Sequence, residues 1–589
     1  MQKRNGFRRI FFRFWAPLLA LLLPGGILAE VPAPFPLDRV EPGMRGQVLT
    51  VLEGTEPVSL EVELLGVLED WIAPGIPLVL GRFTGETGRY KGVAAGMSGS
   101  PVMVEGKLLG ALSYSIGSFT KEPICGITPI EKMLELGNLP ENPLPWRPSG
   151  AKSTLGGGLR PIPLTLSVSG LDQARLGEFS DIWDAVGLTA QPGAGRASVD
   201  SLDGDDLQPG RPVTAMLLWG DKQVGATGTI TWREGDRLLA FGHPFLGFGR
   251  TRAPLTPAEI VWTVPSALDS FKIARNGPPV GTMTEDRLTA IAGRVGPVPG
   301  GIPIHVRVVR PDAPLLERSF HALRSPLLTG VLANFALRSA VADAAAAEQD
   351  EALHLSGAVR LEGAAPVPLD IGGPGGRTGP PVRQLGAGLV RVINALMQAP
   401  VDLPPIESIE LEVEALARQG AWKVIRALPD RLVAPPGGVV TVTVDLIGTR
   451  GDRHQELLHL RVPPKTLPGT YLLVAGSTRA LEGETGSVAE ARRRTARNGE
   501  EYLAALREDT STRRLEVRLL LKAEGIISRG KAYPALPGTA HILLRSGPGE
   551  GELYRSRWIE IASARAELER SLAGVAKSTI TVISEESKR

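Results

Sequence analysis

The chain has 589 residues, enough for three or four domains at roughly 100 to 200 residues each, and each of these could bury its own core. Its 65 Lys+Arg against 63 Asp+Glu leave a net charge of +2, a balance that points away from a nucleic-acid reader and from a surface built to bind acids. A lone cysteine, Cys125, cannot form an intramolecular disulfide, so in an oxidising compartment stability must come from packing; Cys125 itself reads as a small buried apolar residue.

The first element is a secretory signal over 1–29: "MQKRNGFRR" is basic, "FWAPLLALLLP" is apolar, and "GGILA" ends on Ala29, where cleavage is expected. The apolar run is short for a bilayer span of about 20 residues, and no second run of that length follows. The mature chain is therefore expected to be exported (periplasmic, cell envelope or extracellular) and soluble, with an uncleaved N-terminal anchor as the alternative. Beyond the signal the texture is mostly β. "VSLEVELLGVLE" (58–69), "PLVLGRF" (77–83), "PIHVRVV" (303–309) and "VVTVTVDLIG" (439–448) are rich in β-branched residues, partly alternate, and are bounded by Gly and Pro. Such a profile favours barrels or sandwiches over a doubly wound α/β sheet, because long helices do not alternate with the strands.

Between two apolar strands lies "GVAAGMSGSPVMVEGKLLGAL" (92–112). A serine nucleophile needs a sharp turn, with backbone N–H groups aimed at the place where a tetrahedral oxyanion forms. The glycines around Ser98 permit that turn, and the N–H groups of Gly96 and Ser98 would be the donors. Strand, two-residue turn at Glu105 and Gly106, and strand then follow as a hairpin. This is the local layout of chymotrypsin-like serine proteases; a plain glycine-rich β-turn is the other reading. "TPIEKMLELG" (128–137) predicts a helix with Thr128 as N-cap, Pro129 in its first turn, Glu131 closing a capping box and Gly137 as its stop. "GNLPENPLPWRPSGAKSTLGGG" (137–158) is a linker.

No histidine precedes Ser98. Of the seven, His305, His321, His354, His459 and His541 fall in strand-like runs and His454 in a charged turn. His243 differs: "TGTITWREGDRLLAFGHPFLGFG" (227–249) sets it at the end of a hairpin strand, before a proline and a glycine-rich loop, where an imidazole is expected at a rim. "SPLLTGVLANFALRSAVADAAAAE" begins a helix at Ser325 and Pro326, with Leu328, Val331, Leu332 and Phe335 as a core stripe. "GGPGGRTGPP" (372–381) reads as a loop. From 419 onward a sandwich of alternating strands, a charged amphipathic helix ("SVAEARRRTARNGEEYLAALRED") and further strands form a module that binds a partner or the cell surface, or simply packs.

Taken together, "GMSGSPVMVEGKLLGALSYSIGSFTKEPICGITPIEKML" and "GTITWREGDRLLAFGHPF" resemble the SpoIVB peptidase family, chymotrypsin-related serine peptidases of the bacterial cell envelope, over about 40–310. The resemblance implies a mainly β fold: a chymotrypsin-like double β-barrel, followed here by a C-terminal β-sandwich-like domain, with few short helices. It casts Ser98 as nucleophile, His243 as general base, and the amides of Gly96 and Ser98 as the oxyanion hole. The substrate would be a polypeptide, either the chain itself or a cell-envelope protein. Three departures accompany it. Serine precedes histidine, which implies a permuted or specialised branch. The family's acid lies shortly before the serine, where this chain offers Glu86; Asp236 and Asp269, nearer His243, are the other candidates. No PDZ-like segment is evident. A missing acid would leave a weak enzyme or a non-catalytic envelope scaffold, since the acid fixes the imidazole tautomer.

No HExxH or CxxC pair suggests a metal, and the glycine runs lack the strand-to-helix context of a phosphate loop, so neither metal nor cofactor is expected. The implied domains are 30–145 (Ser-bearing barrel), 146–158 (linker), 159–324 (His-bearing barrel), 325–418 (helix and strands) and 419–589 (C-terminal module).

Overall fold

The computed structural model describes residues 32–116, 122–138, 159–171, 173–194, 202–266, 270–311, 313–344, 352–373, 380–416, 421–448, 451–485, 493–508, 510–528, 531–533, 539 and 553–583. The signal segment, the linker core 146–158, Asp269 and His541 lie outside them. The chain is mainly β, with two closed six-stranded barrels followed by sheet domains.

The first barrel is made of β1 (Arg45–Thr50), β2 (Val58–Ala73), β3 (Ile76–Phe83), β4 (Pro101–Val104), β5 (Lys107–Ile116) and β6 (Ile124–Pro129), in the order β4-β1-β2-β3-β6-β5, closed by β4 against β5. Alternation does the sorting: Gly46, Val48 and Thr50 of β1 point inward while Arg45 and Gln47 face solvent. Val48, Val62, Leu64, Val79, Phe83, Val102, Leu112, Cys125 and Ile127 fill the interior, each large aliphatic side chain contributing about 1.5–3 kcal/mol by leaving water. The β4–β5 hairpin turns at Glu105 and Gly106 with φ of 51° and 74°, as the two-residue loop requires. Helix α1 (Glu86–Lys91) leads from β3 toward the serine turn, and α2 (Ile130–Leu134) follows β6. Thr128 belongs to β6 and is not the cap of α2, because its hydroxyl bonds to Ser113 and to the Gly242 carbonyl; Pro129, the last residue of β6, is the N-cap, and no side chain closes a capping box.

β7 (Leu159–Pro161) extends the first barrel's sheet, and β8 (Thr165–Ser169) and β9 (Thr189–Pro192) flank the second barrel. The second barrel comprises β10 (Pro212–Gly220), β11 (Gln223–Glu234), β12 (Arg237–Ala240), β13 (Gly249–Val264), β15 (Gly281–Asp286) and β16 (Ile291–Val295), closed by β10 against β11. Strand β14 (Phe271–Asn276) pairs with the far half of β13 and projects toward the first barrel. There Gly54 bridges Ile260 and Ala95 bridges Phe271, while Val51, Ala258, Ile260 and Ala274 form a small apolar seam.

β17 (Ile302–Arg310) and β18 (Ala313–Ala322) link the second barrel to the next unit: β18 pairs with β10, and β17 runs parallel to β21 (Ile406–Leu416). β19 (Ala352–Leu361) and β20 (Ala364–Gly373) complete that sheet. The short helices α3 (Gln173–Gly177) and α4 (Ser180–Asp184) set Phe179 and Trp183 against Phe335 of α5 (Thr329–Asp343). Leu328, Leu332 and Phe335 are buried, as their spacing predicts. Helix α6 (Pro381–Met397) is not anticipated from the sequence, although Leu385, Leu389, Val392 and Ile393 mark a buried face and Pro381 opens its first turn.

In the C-terminal module two sheets enclose one core of Val440, Val442, Val444, Leu460, Leu473, Val517, Leu519 and Ile580, which makes it a sandwich. His454 lies in one of its strands, Arg453–Arg461, rather than in a turn. Of the charged segment near 488–510, the helix Gly499–Glu508 is the main described part. Among the described residues no helix is long and apolar enough to cross a membrane.

Candidate active site

Ser98 sits on a double turn whose hydrogen bonds leave two donors over. Met97 N–H donates to the Ala94 carbonyl (2.9 Å), Ser100 N–H to the Met97 carbonyl (3.0 Å), and Gly99 N–H across to Leu112 on β5 (2.7 Å). The N–H groups of Gly96 and Ser98 have no acceptor among the described residues, and neither does the Ser98 hydroxyl a partner. Gly96 and Gly99 hold φ of 95° and 93°, in the region that favours glycine. At Gly99 no other residue fits, since a Cβ would stand 2.0 Å from the Thr229 carbonyl oxygen and 2.4 Å from the Phe241 nitrogen. Met97 anchors the turn by burying its side chain in the first barrel.

The second barrel holds this turn by its carbonyls. Along β11, Thr229 N–H donates to Ser98 O (2.7 Å), Thr229 Oγ1 to Gly96 O (3.0 Å) and Thr231 Oγ1 to Gly99 O (2.7 Å). The Phe241 ring covers Gly228, and Gly242 packs on Ala111 and Ser113. The two motifs singled out in the sequence thus touch through their backbones.

His243 is 1 % exposed, as is Ser98, and is packed inside rather than held at a rim. Phe241 and Gly242, both at φ 72°, turn the chain inward before it. Its Nδ1 lies 2.8 Å from the Pro244 carbonyl, an oxygen that can only accept. Nδ1 therefore carries the proton, and Nε2, buried with no partner, presents a lone pair. Burial pushes the imidazole pKa down from 6.5 to about 4.

None of the predicted acids is seen on His243. Glu86 is exposed at the start of α1. Asp236, in the turn between β11 and β12, pairs with Arg294 at 2.7 Å. Asp269 lies outside the described residues. The buried carboxylate of this region is Asp286, at the end of β15. It accepts from the N–H groups of Phe245 (2.8 Å), Leu246 (2.8 Å) and Phe248 (3.0 Å), fixing the loop after His243, and burial pushes its pKa up. In sequence, "TMTEDR" gave no sign of this role.

A second base borders the serine turn from the other barrel. Lys272, at the start of β14, donates its N–H to Ala95 O (3.0 Å), and Ala95 N–H donates to Ser270 O (2.8 Å). The lysine stem then crosses Gly96: its Cβ, Cγ and Cδ lie 3.2, 3.3 and 3.1 Å from where a Gly96 Cβ would stand. Nζ reaches Thr50 Oγ1 at 2.9 Å, and Ser100 Oγ meets the same hydroxyl at 2.9 Å. Burial pushes the amine pKa down from 10.5 to about 7. Among the described residues no three His, Cys, Asp or Glu side chains converge to hold a metal ion. No family model, no curated protein and no solved structure matches the chain.

Proposed function

We propose that the chain is an exported serine endopeptidase of the SpoIVB type, cleaving itself or a cell-envelope protein through Ser98. The observation that carries this reading is the pair of N–H groups without acceptors, on Gly96 and Ser98, flanking a serine hydroxyl that is itself without a partner. In acyl transfer the hydroxyl attacks the peptide carbonyl and the two amides receive the oxyanion; losing one such donor typically costs about 2.7–4 kcal/mol of transition-state stabilisation. The resemblance makes His243 the base. Its neutral tautomer, fixed by the Pro244 carbonyl, supports that role; the absence of a carboxylate partner among the described residues does not.

A non-catalytic envelope scaffold is the second reading, favoured by the burial of Ser98 and His243. The C-terminal sandwich, with Ile425, Leu428, Leu432, Leu457 and Leu467 exposed, supports a partner-binding role for that module in either reading. Labelling of the purified mature protein with a fluorophosphonate probe separates the two. The peptidase reading expects an adduct in the wild type and none in Ser98→Ala; a folded wild type that takes no label favours the scaffold.

A further inference from the structure

We propose that Lys272 is the general base for Ser98, so that the site works as a serine–lysine pair assembled between the two barrels. This rests on Ser98 being the nucleophile and transfers to Lys272 the proton-accepting role that the resemblance gives to His243.

The geometry starts from the backbone. The reciprocal bonds of Ala95 with Ser270 and Lys272 fasten the start of β14 to the residue just before the turn. The lysine side chain then lies along Gly96, two residues from the nucleophile, and ends at Thr50, which also receives the hydroxyl of Ser100, two residues beyond it. The side chain is thus in contact with one side of the turn that carries Ser98 through its stem and linked to the other side through Thr50 at its amine. Thr50 is its one hydrogen-bond partner among the described residues, and no carboxylate opposes it. Around it, β1 supplies Thr50, the turn supplies no titratable group apart from its serines, and the facing strand β13 supplies Thr263, whose carbonyl accepts from the Lys91 ammonium at 2.8 Å. Lys272 is half-buried with its amine held among uncharged groups, and desolvation lowers that amine's pKa to about 7, so a neutral fraction, the state a base requires, is present near neutral pH. His243, by contrast, holds its proton too weakly to match a serine hydroxyl at such pH.

The proton balance closes without a co-reactant other than water. Neutral Nζ takes the proton of Ser98 Oγ–H as Oγ bonds to the scissile carbon, and the carbonyl π pair moves to the oxygen held by the Gly96 and Ser98 N–H groups. The pair returns, the C–N bond breaks, and the ammonium gives its proton to the leaving amine. Water then attacks the ester, again losing its proton to Nζ, and Ser98 departs with that proton.

The test measures the fluorophosphonate labelling rate of the full mature chain from about pH 5 to about pH 10, for wild type, Lys272→Met, Lys272→Arg and Ser98→Ala. The expected wild-type rate rises with pH through an inflection near 7. Both lysine variants should lose about 10²–10⁴-fold. Arginine is the telling replacement, because it keeps a cation and gives up the base. Thermal melting guards against misfolding: Lys272→Met, an apolar chain where a half-buried amine is desolvated, should melt above the wild type at neutral pH. Wild-type rates and pH profile in a folded Lys272→Met, or a wild-type rate already flat from about pH 5 upward, would overturn the assignment while leaving Ser98 as nucleophile. A folded wild type without any label, matching Ser98→Ala, would overturn both.

Discussion

His243 is buried and Lys272 half-buried; in both, desolvation disfavours the charged form, and stability must record it. Burial lowers the pKa of His243 from 6.5 to about 4, so the folded state binds that proton less readily than the unfolded chain. Its contribution is present above 6.5 and lost as pH falls toward 4; at about 1.36 kcal/mol per unit the loss approaches ~3 kcal/mol. Urea unfolding at several pH values should show that fall, and a flat profile over the window would place His243 in water. Lys272, half-buried, follows the same sign over 10.5 down to about 7, so holding its amine out of water weakens the fold at neutral pH. Lys272→Met should remove that dependence, which denaturant titrations at pH 7 and above would measure. Gly99→Ala is the backbone counterpart. With φ of 93° and a carbonyl 2.0 Å from the new Cβ, it should prevent docking of the serine turn, read as loss of the cooperative unfolding transition.

Among elements, β11 matters most, because it binds the turn's carbonyls and so leaves its amides facing away. Thr229→Val removes the hydroxyl donor to Gly96 O within a buried contact, a change worth about 1–3 kcal/mol in unfolding free energy, and it should slow labelling of Ser98. Unchanged labelling would mean the turn holds itself. Elements of this kind were legible where pattern alone forms them: strands β2 and β3, the Glu105–Gly106 hairpin and the core stripe of α5 follow from strand-forming residues, turn residues and helical spacing, whereas the closed barrel was expected only from the family resemblance. The glycines of the serine turn also announced their geometry. Placement that depends on docking was not legible. Thr128 looks like a cap until a distant carbonyl, that of Gly242, takes its hydroxyl. Lys272 in "SFKIARN" carries no signal of its own until the serine turn docks beside it, and His243 looks like a rim residue until Phe241 and Gly242 turn it inward.

Across the molecule, the candidate site belongs to neither barrel alone: Ser98 and Thr50 come from the first, Thr229 from a strand of the second, His243 from the loop after its β12, and Lys272 from β14, which pairs with its β13. Further along, Asp370 of β20 joins the middle sheet to the C-terminal module, taking bonds from His354 (2.6 Å) and Ser511 (2.6 Å) and an ion pair from Arg513 (2.9 Å). Burial opposes its ionisation, but these partners outweigh burial and hold its pKa below the usual carboxylate value. The contribution is therefore present above the unfolded value of about 3.9 and lost in stronger acid, so Asp370→Asn should loosen this junction at neutral pH, seen as faster proteolysis between the two parts. The central claim, that the two barrels together activate one serine, is tested most directly by mapping the fluorophosphonate adduct on the wild-type chain by peptide mass spectrometry. A single adduct on Ser98 is the predicted result; an adduct on another serine, or none in the folded protein, would contradict it.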